Sequence, residues 1–193
     1  TTGTRNTVVG RSSMYQSETT SDNTTVGYNA MGNNIAGNNN VAVGNNSLTS
    51  ETGSSNVAVG MNTLQNNTAD DCTAIGYSSL RQNTTGVGNV AIGRESLTAN
   101  EVGASNVAVG MNSLQNNTGS NNVAVGMNAA KNGIDTNQNV AVGSGALFNN
   151  LQSNMTAVGY LALNSNENGI DNTATGAYAL QNTTGSNNTA VGN

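Results

Sequence analysis

Asn106-Val107-Ala108-Val109-Gly110-Met111-Asn112-Ser113-Leu114-Gln115-Asn116-Asn117-Thr118-Gly119 decides the fold, because degraded copies of it fill the chain from end to end. Each copy can be anchored on the glycine that closes its Val-Ala-Val run. The anchors are Gly10, Gly27, Gly44, Gly60, Gly76, Gly93, Gly110, Gly126, Gly143, Gly159, Gly176 and Gly192, spaced 16 or 17 residues apart throughout. A short period held over a whole chain marks a solenoid, whose units bury their faces only against their neighbours. Residues 1–193 therefore read as a single repeat array, an all-β parallel β-solenoid (β-roll) of about 12 coils. Thr1-Thr2-Gly3 repeats the interior Thr84-Thr85-Gly86, and neither end carries a cap, so the array reads as an excerpt of a longer fibre.

Composition points the same way. Aromatic residues are 3% and charged residues 8% of the 193, while Gly numbers 24 and Asn makes up roughly a fifth. Too few large apolar side chains are present for a thick core. Ordinary disorder is rich in charge or proline, and this chain has little of the first and none of the second. A net charge of −5 with five Lys and Arg gives no means of displacing counterions, which argues against a nucleic-acid partner. No run approaches the roughly 18 apolar residues of a spanning helix, so membrane insertion is not expected.

Stacking the copies turns the sequence into columns. Position −1, just before the anchor, is Val or Ile almost throughout, position −3 is Val or Thr, and position −2 between them is almost invariably Ala. This is a short β-branched strand with two apolar faces, and both need cover. The larger Val side chains are assigned to the coil interior. The Ala face, including Ala58, Ala91, Ala108, Ala124 and Ala157, is then left for a chain–chain interface. Position −4 is an Asn column, with Asn56, Asn89, Asn106, Asn122 and Asn139 as members, broken by Cys72 and Met155. Identical amides at strand spacing form a hydrogen-bonded ladder. Cys72 reads as a substitute in that ladder, not as a nucleophile, since no His is present to activate it.

After the anchor, Leu recurs at position +4 (Leu48, Leu64, Leu80, Leu97, Leu114) and should face the interior. This second arm reads as extended, with a short helical turn as the alternative, because Asn at +2 could cap a helix. Position +1 holds Arg11, Tyr28, Met61, Tyr77, Arg94, Met111, Met127 and Tyr160. Its tyrosines Tyr28, Tyr77 and Tyr160 form a candidate surface ridge able to contact sugars. Asp70-Asp71 is an acidic pair in a turn, and Asp135 and Asp171 stand apart. No catalytic constellation, cofactor site or metal site follows from these residues, so the chain is read as a non-enzyme.

The hexamers at 105–110 (Ser-Asn-Val-Ala-Val-Gly) and 121–126 (Asn-Asn-Val-Ala-Val-Gly) resemble the Asn-Ser-Val-Ala-Ile-Gly repeat of trimeric autotransporter adhesin heads. The unit at 179–192, Ala-Leu-Gln-Asn-Thr-Thr-Gly-Ser-Asn-Asn-Thr-Ala-Val-Gly, is similar to repeats in bacteriophage tail fibres. The resemblance implies a left-handed parallel β-roll, a homotrimer, and an extracellular place on a virion tail fibre or bacterial cell surface. The function it implies is that of a shaft or head segment serving host attachment, with a receptor or glycan engaged through other parts of the fibre. Two other classes are an ice-binding β-solenoid, for which Thr- and Ala-rich flat coils are suited, and a self-assembling extracellular filament protein. Ice binding calls for a regular Thr array on an open flat face, and here the Thr/Val column is assigned inward.

Overall fold

A computed structural model describes residues 3–17, 19–50 and 53–193; Thr1 and Thr2 of the terminal Thr-Thr-Gly lie outside them. Twelve three-residue strands follow one another: Thr7–Val9 (β1), Thr24–Val26 (β2), Val41–Val43 (β3), Val57–Val59 (β4), Thr73–Ile75 (β5), Val90–Ile92 (β6), Val107–Val109 (β7), Val123–Val125 (β8), Val140–Val142 (β9), Thr156–Val158 (β10), Thr173–Thr175 (β11) and Thr189–Val191 (β12). They form one parallel sheet in sequence order. The register is the one the columns require, with Val107, Ala108 and Val109 opposite Val123, Ala124 and Val125. The fold is thus an all-β solenoid in which each coil contributes one rung.

The anchor glycine ends each strand with a corner that only glycine can make. Gly110 has a φ of +132°. A β-carbon there would lie 2.5 Å from the carbonyl oxygen of Gly126 in the next coil. The residue type is therefore set by backbone conformation and by the close approach of successive coils at once.

The second arm is neither a strand nor a helical turn, which corrects both readings of it. Positions +2 and +4 hold positive φ in coil after coil: Asn112 at 57° and Leu114 at 48°, Asn62 at 56° and Leu64 at 48°. Left-handed residues at alternate positions prevent α-helical bonding within the arm. The N–H groups turn instead to neighbouring coils, Asn112 N–H donating to the Arg94 carbonyl at 3.0 Å and Leu114 N–H to the Ala129 carbonyl at 3.0 Å. Left-handed geometry costs an L-residue about 1–2 kcal/mol. Burial of the Leu side chain and these intercoil bonds stabilise it. The column does face the interior: Leu48, Leu64, Leu80, Leu97, Leu114, Leu147 and Leu163 are fully buried, and Met31 takes the same place in its coil.

The strand faces are the reverse of the sequence reading. The Ala column is inside: Ala58, Ala91, Ala108, Ala124 and Ala157 are each 0% exposed within the single chain. The Val and Thr columns at −1 and −3 face out, half-buried or exposed. The cause is the narrow cross-section. Leu at +4 fills the space from the opposite wall, and the small residues at −2, Ala in most coils and Thr25 in the coil of Met31, pack against that column. With a side-chain period of two, that choice sends both flanking positions outward.

Candidate interaction surface

Buried amides brace the strand from inside. At position −4, the Asn122 N–H donates to Asn106 Oδ1 at 2.9 Å. The Asn122 side-chain amide donates to the same oxygen at 3.1 Å and, in the other direction, to the Thr136 carbonyl at 2.7 Å. Asn106 and Asn139 repeat this pattern of backward and forward bonds, and Asn56 and Asn89 take part in it too. The expected ladder exists, but each rung joins three coils through backbone as well as side chain.

Cys72 keeps the backbone half of that pattern, its N–H donating to Asn56 Oδ1 at 2.8 Å, while its thiol reaches the Gly86 carbonyl at 3.3 Å. Met155 likewise donates its N–H to Asn139 Oδ1 at 2.9 Å. Both residues therefore sit as ladder substitutes. A second interior ladder, missed in the sequence, runs at position +7. There the Asn83 amide donates to Asn67 Oδ1 at 2.6 Å, the Asn100 amide to Asn83 Oδ1 at 2.8 Å and the Asn166 amide to Asn150 Oδ1 at 3.1 Å. Its signal in the sequence is the Asn at +7 in the closing segments, as in Asn66-Asn67-Thr68 and Asn83-Thr84-Thr85-Gly86. All these amides hold the scaffold and present no chemistry outward.

The outward surface of the sheet is made by three adjacent columns. Position −3 carries Val and Thr, position −1 carries Val and Ile with Thr175, and position +1 carries the Tyr, Met and Arg ridge, interrupted by Asn45, Ser144 and Ala177. Val26, Ile75, Ile92, Val125 and Val158 are exposed, as are Tyr28, Met61, Tyr77, Met111, Met127 and Tyr160. The tyrosines of the ridge thus stand at the surface. Arg11 lies 6.0 Å over the Tyr28 ring, and Tyr160 meets Tyr178 edge to face at 5.3 Å. With 11 steps of about 4.8 Å and four residues of about 3.3 Å across, the face covers on the order of 700 Å². No charged side chain occurs in the −3 and −1 columns; Arg11 and Arg94 stand at its edge in the +1 column.

The carboxylates lie elsewhere. Arg5 and Asp22 pair across neighbouring coils, with the Nη2–Oδ2 distance at 2.6 Å. The hydrogen bond from Arg5 holds the Asp22 carboxyl below its ordinary range, and the same bond raises Arg5. Among the described residues no group of three or more His, Cys, Asp or Glu could hold a metal ion. Asp135 and Asp171 are exposed and remain apart from any such group. No protein-family model, curated protein or solved structure matches this chain.

Proposed function

We propose that the chain is a structural segment of an extracellular homotrimeric fibre, of the tail-fibre or surface-adhesin kind, whose coils associate through the outward β-branched face and project a host-binding element. The observation that carries this reading is the uncharged, in-register Val/Thr/Ile face along β1–β12, half-buried or exposed, which none of the described residues covers. Two such faces, each three residues wide, cover on the order of 1,000 Å² when brought together, about the least a specific interface needs. The earlier assignment of the interface to Ala58, Ala91, Ala108, Ala124 and Ala157 moves to their neighbours at −1 and −3. The residues imply association, and the number three comes from the likeness to trimeric adhesin repeats. Light scattering on the chain, with and without Val109→Lys and Val125→Lys, tests it: association should be lost in the double variant while the coil remains folded.

A second reading is ice binding, and the reversed strand faces favour it more than the sequence did. Thr24, Thr73, Thr156 and Thr173 now point outward in register on a flat face. Against it, β3, β4 and β6–β9 present Val or Ile at both outward positions, so the hydroxyl array is broken through the middle of the rod. A monomer with thermal hysteresis that Thr156→Lys abolishes would establish this reading over the fibre.

A further inference from the structure

Charge in this chain is scarce, and two of its five basic residues, Arg81 at position +5 and Arg94 at position +1, fall in neighbouring coils. Tyr77, Ser78, Arg81, Glu95, Thr98 and Gln115 line a hollow of about 300 Å³ there. Its walls are set by hydrogen bonds between coils. Thr98 Oγ1 donates to the Ser78 carbonyl at 3.1 Å, and Gln115 Nε2 donates to Glu95 Oε2 at 2.9 Å. Arg94 donates to the other carboxylate oxygen, Oε1, at 3.0 Å. Glu95 is thus held from both sides and its charge is matched. Arg81 has no such partner among the described residues, and its Nε is buried without a hydrogen bond. The Tyr77 ring, 43% exposed, stands at the same hollow.

We infer that this hollow is a binding site for an acidic saccharide, a short chain of uronic-acid pyranosides lying along the rod. Arg81 lines the hollow and takes no part in the ion pairs Arg5–Asp22 and Arg94–Glu95, so a carboxylate reaching its guanidinium supplies the missing counter-charge. An aromatic ring beside it packs on the apolar C–H face of a pyranose, and the fixed Glu95 carboxylate with the Gln115 and Ser78 side chains offers acceptors and donors for sugar hydroxyls. The hollow draws on three successive coils, a length on the order of 10 Å, which suits two linked pyranose rings. No other coil combines these features: position +2 is charged only at Glu95, and position +5 is basic only at Arg81 and Lys131. Apart from Tyr77, which stands in the +1 column, the lining belongs to the turn arm and not to the −1 and −3 columns through which copies associate.

The test is titration calorimetry of the full chain at low salt with trigalacturonate and, separately, with a glucuronate trimer. Fully methyl-esterified trigalacturonate serves as the uncharged control, and sodium acetate as a carboxylate without a ring. Binding of at least one acidic trimer, loss of about tenfold or more in affinity with Arg81→Gln, and no change with Lys131→Gln is the expected result. Heat from neither acidic trimer would overturn the assignment. So would equal binding of acetate or the ester, or an equal loss with Lys131→Gln, since either would mean general attraction and not a built site. Should Arg81→Gln lose its circular-dichroism signal, Tyr77→Ala and side-chain amide NMR shifts of Gln115 in the wild-type chain decide instead. Shifts confined to that amide support the site, and their absence at saturating trimer refutes it.

Discussion

Leu114 is the residue whose truncation reports most about the coil interior. Its side chain is 0% exposed, and the Leu column to which it belongs steps down to Ala130 in the following coil, also buried. Leu114→Ala removes three carbons, about 2.4 kcal/mol of transfer free energy at ~0.8 kcal/mol per methylene. The void left beside Ala130 joins a place that is already small, and the intercoil bonds at 3.0 Å on either arm hold the walls apart. Collapse is therefore limited and a cavity term adds to the transfer loss, giving an expected cost of about 3–5 kcal/mol. Urea unfolding followed by circular dichroism, with Met111→Ala as the exposed comparison, measures it. Because solenoids can unfold in parts, hydrogen exchange of the coils flanking Leu114 should report the same loss locally. A cost below about half a kcal/mol would refute the inward placement and the packing derived from it.

Ala108→Glu places a carboxylate inside the coil with no counter-charge, and the chain should fail to fold by several kcal/mol; a folded variant by circular dichroism would contradict the reversed faces. Gly110→Ala puts a β-carbon 2.5 Å from the Gly126 carbonyl oxygen at a φ of +132°, and a loss of melting temperature well beyond that of Ala99→Gly is expected. Cys72→Asn restores the side-chain amide to the ladder and should be neutral or stabilising by up to about 1 kcal/mol in urea; marked destabilisation would show that the thiol packs in a way an amide cannot. The Arg5–Asp22 pair depresses the Asp22 carboxyl, so its small contribution is present at neutral pH and is lost as pH falls below the ordinary aspartate range. Asp22→Asn should remove that part of the acid sensitivity in a pH series of thermal melts.

Periodicity made the architecture legible, because the anchor glycines and the Asn column recur for reasons of backbone geometry that any coil must satisfy. The strand faces were not read correctly, since a Val-Ala-Val segment is apolar on both sides and alternation alone gives no direction. The signal lay in the exceptions: Thr replaces Val freely at −3 and once at −1, at Thr175, whereas the Ala column admits Thr only at Thr25. The side that tolerates hydroxyls is the wet one. The second arm was illegible for another reason, as Leu in a left-handed conformation runs against its propensity and is held there by neighbouring coils. The hollow at Arg81 and Glu95 could not be seen either, because it depends on three coils lying side by side.

The central claim, association through the Val/Thr/Ile face, is tested most directly by the mass of the wild-type chain in solution. Multi-angle light scattering should give three times the 19.4 kDa of one chain. The variant with Val109→Lys and Val125→Lys should give a folded single chain. A wild-type particle of 19.4 kDa with the circular dichroism of a folded β-solenoid would contradict the fibre reading.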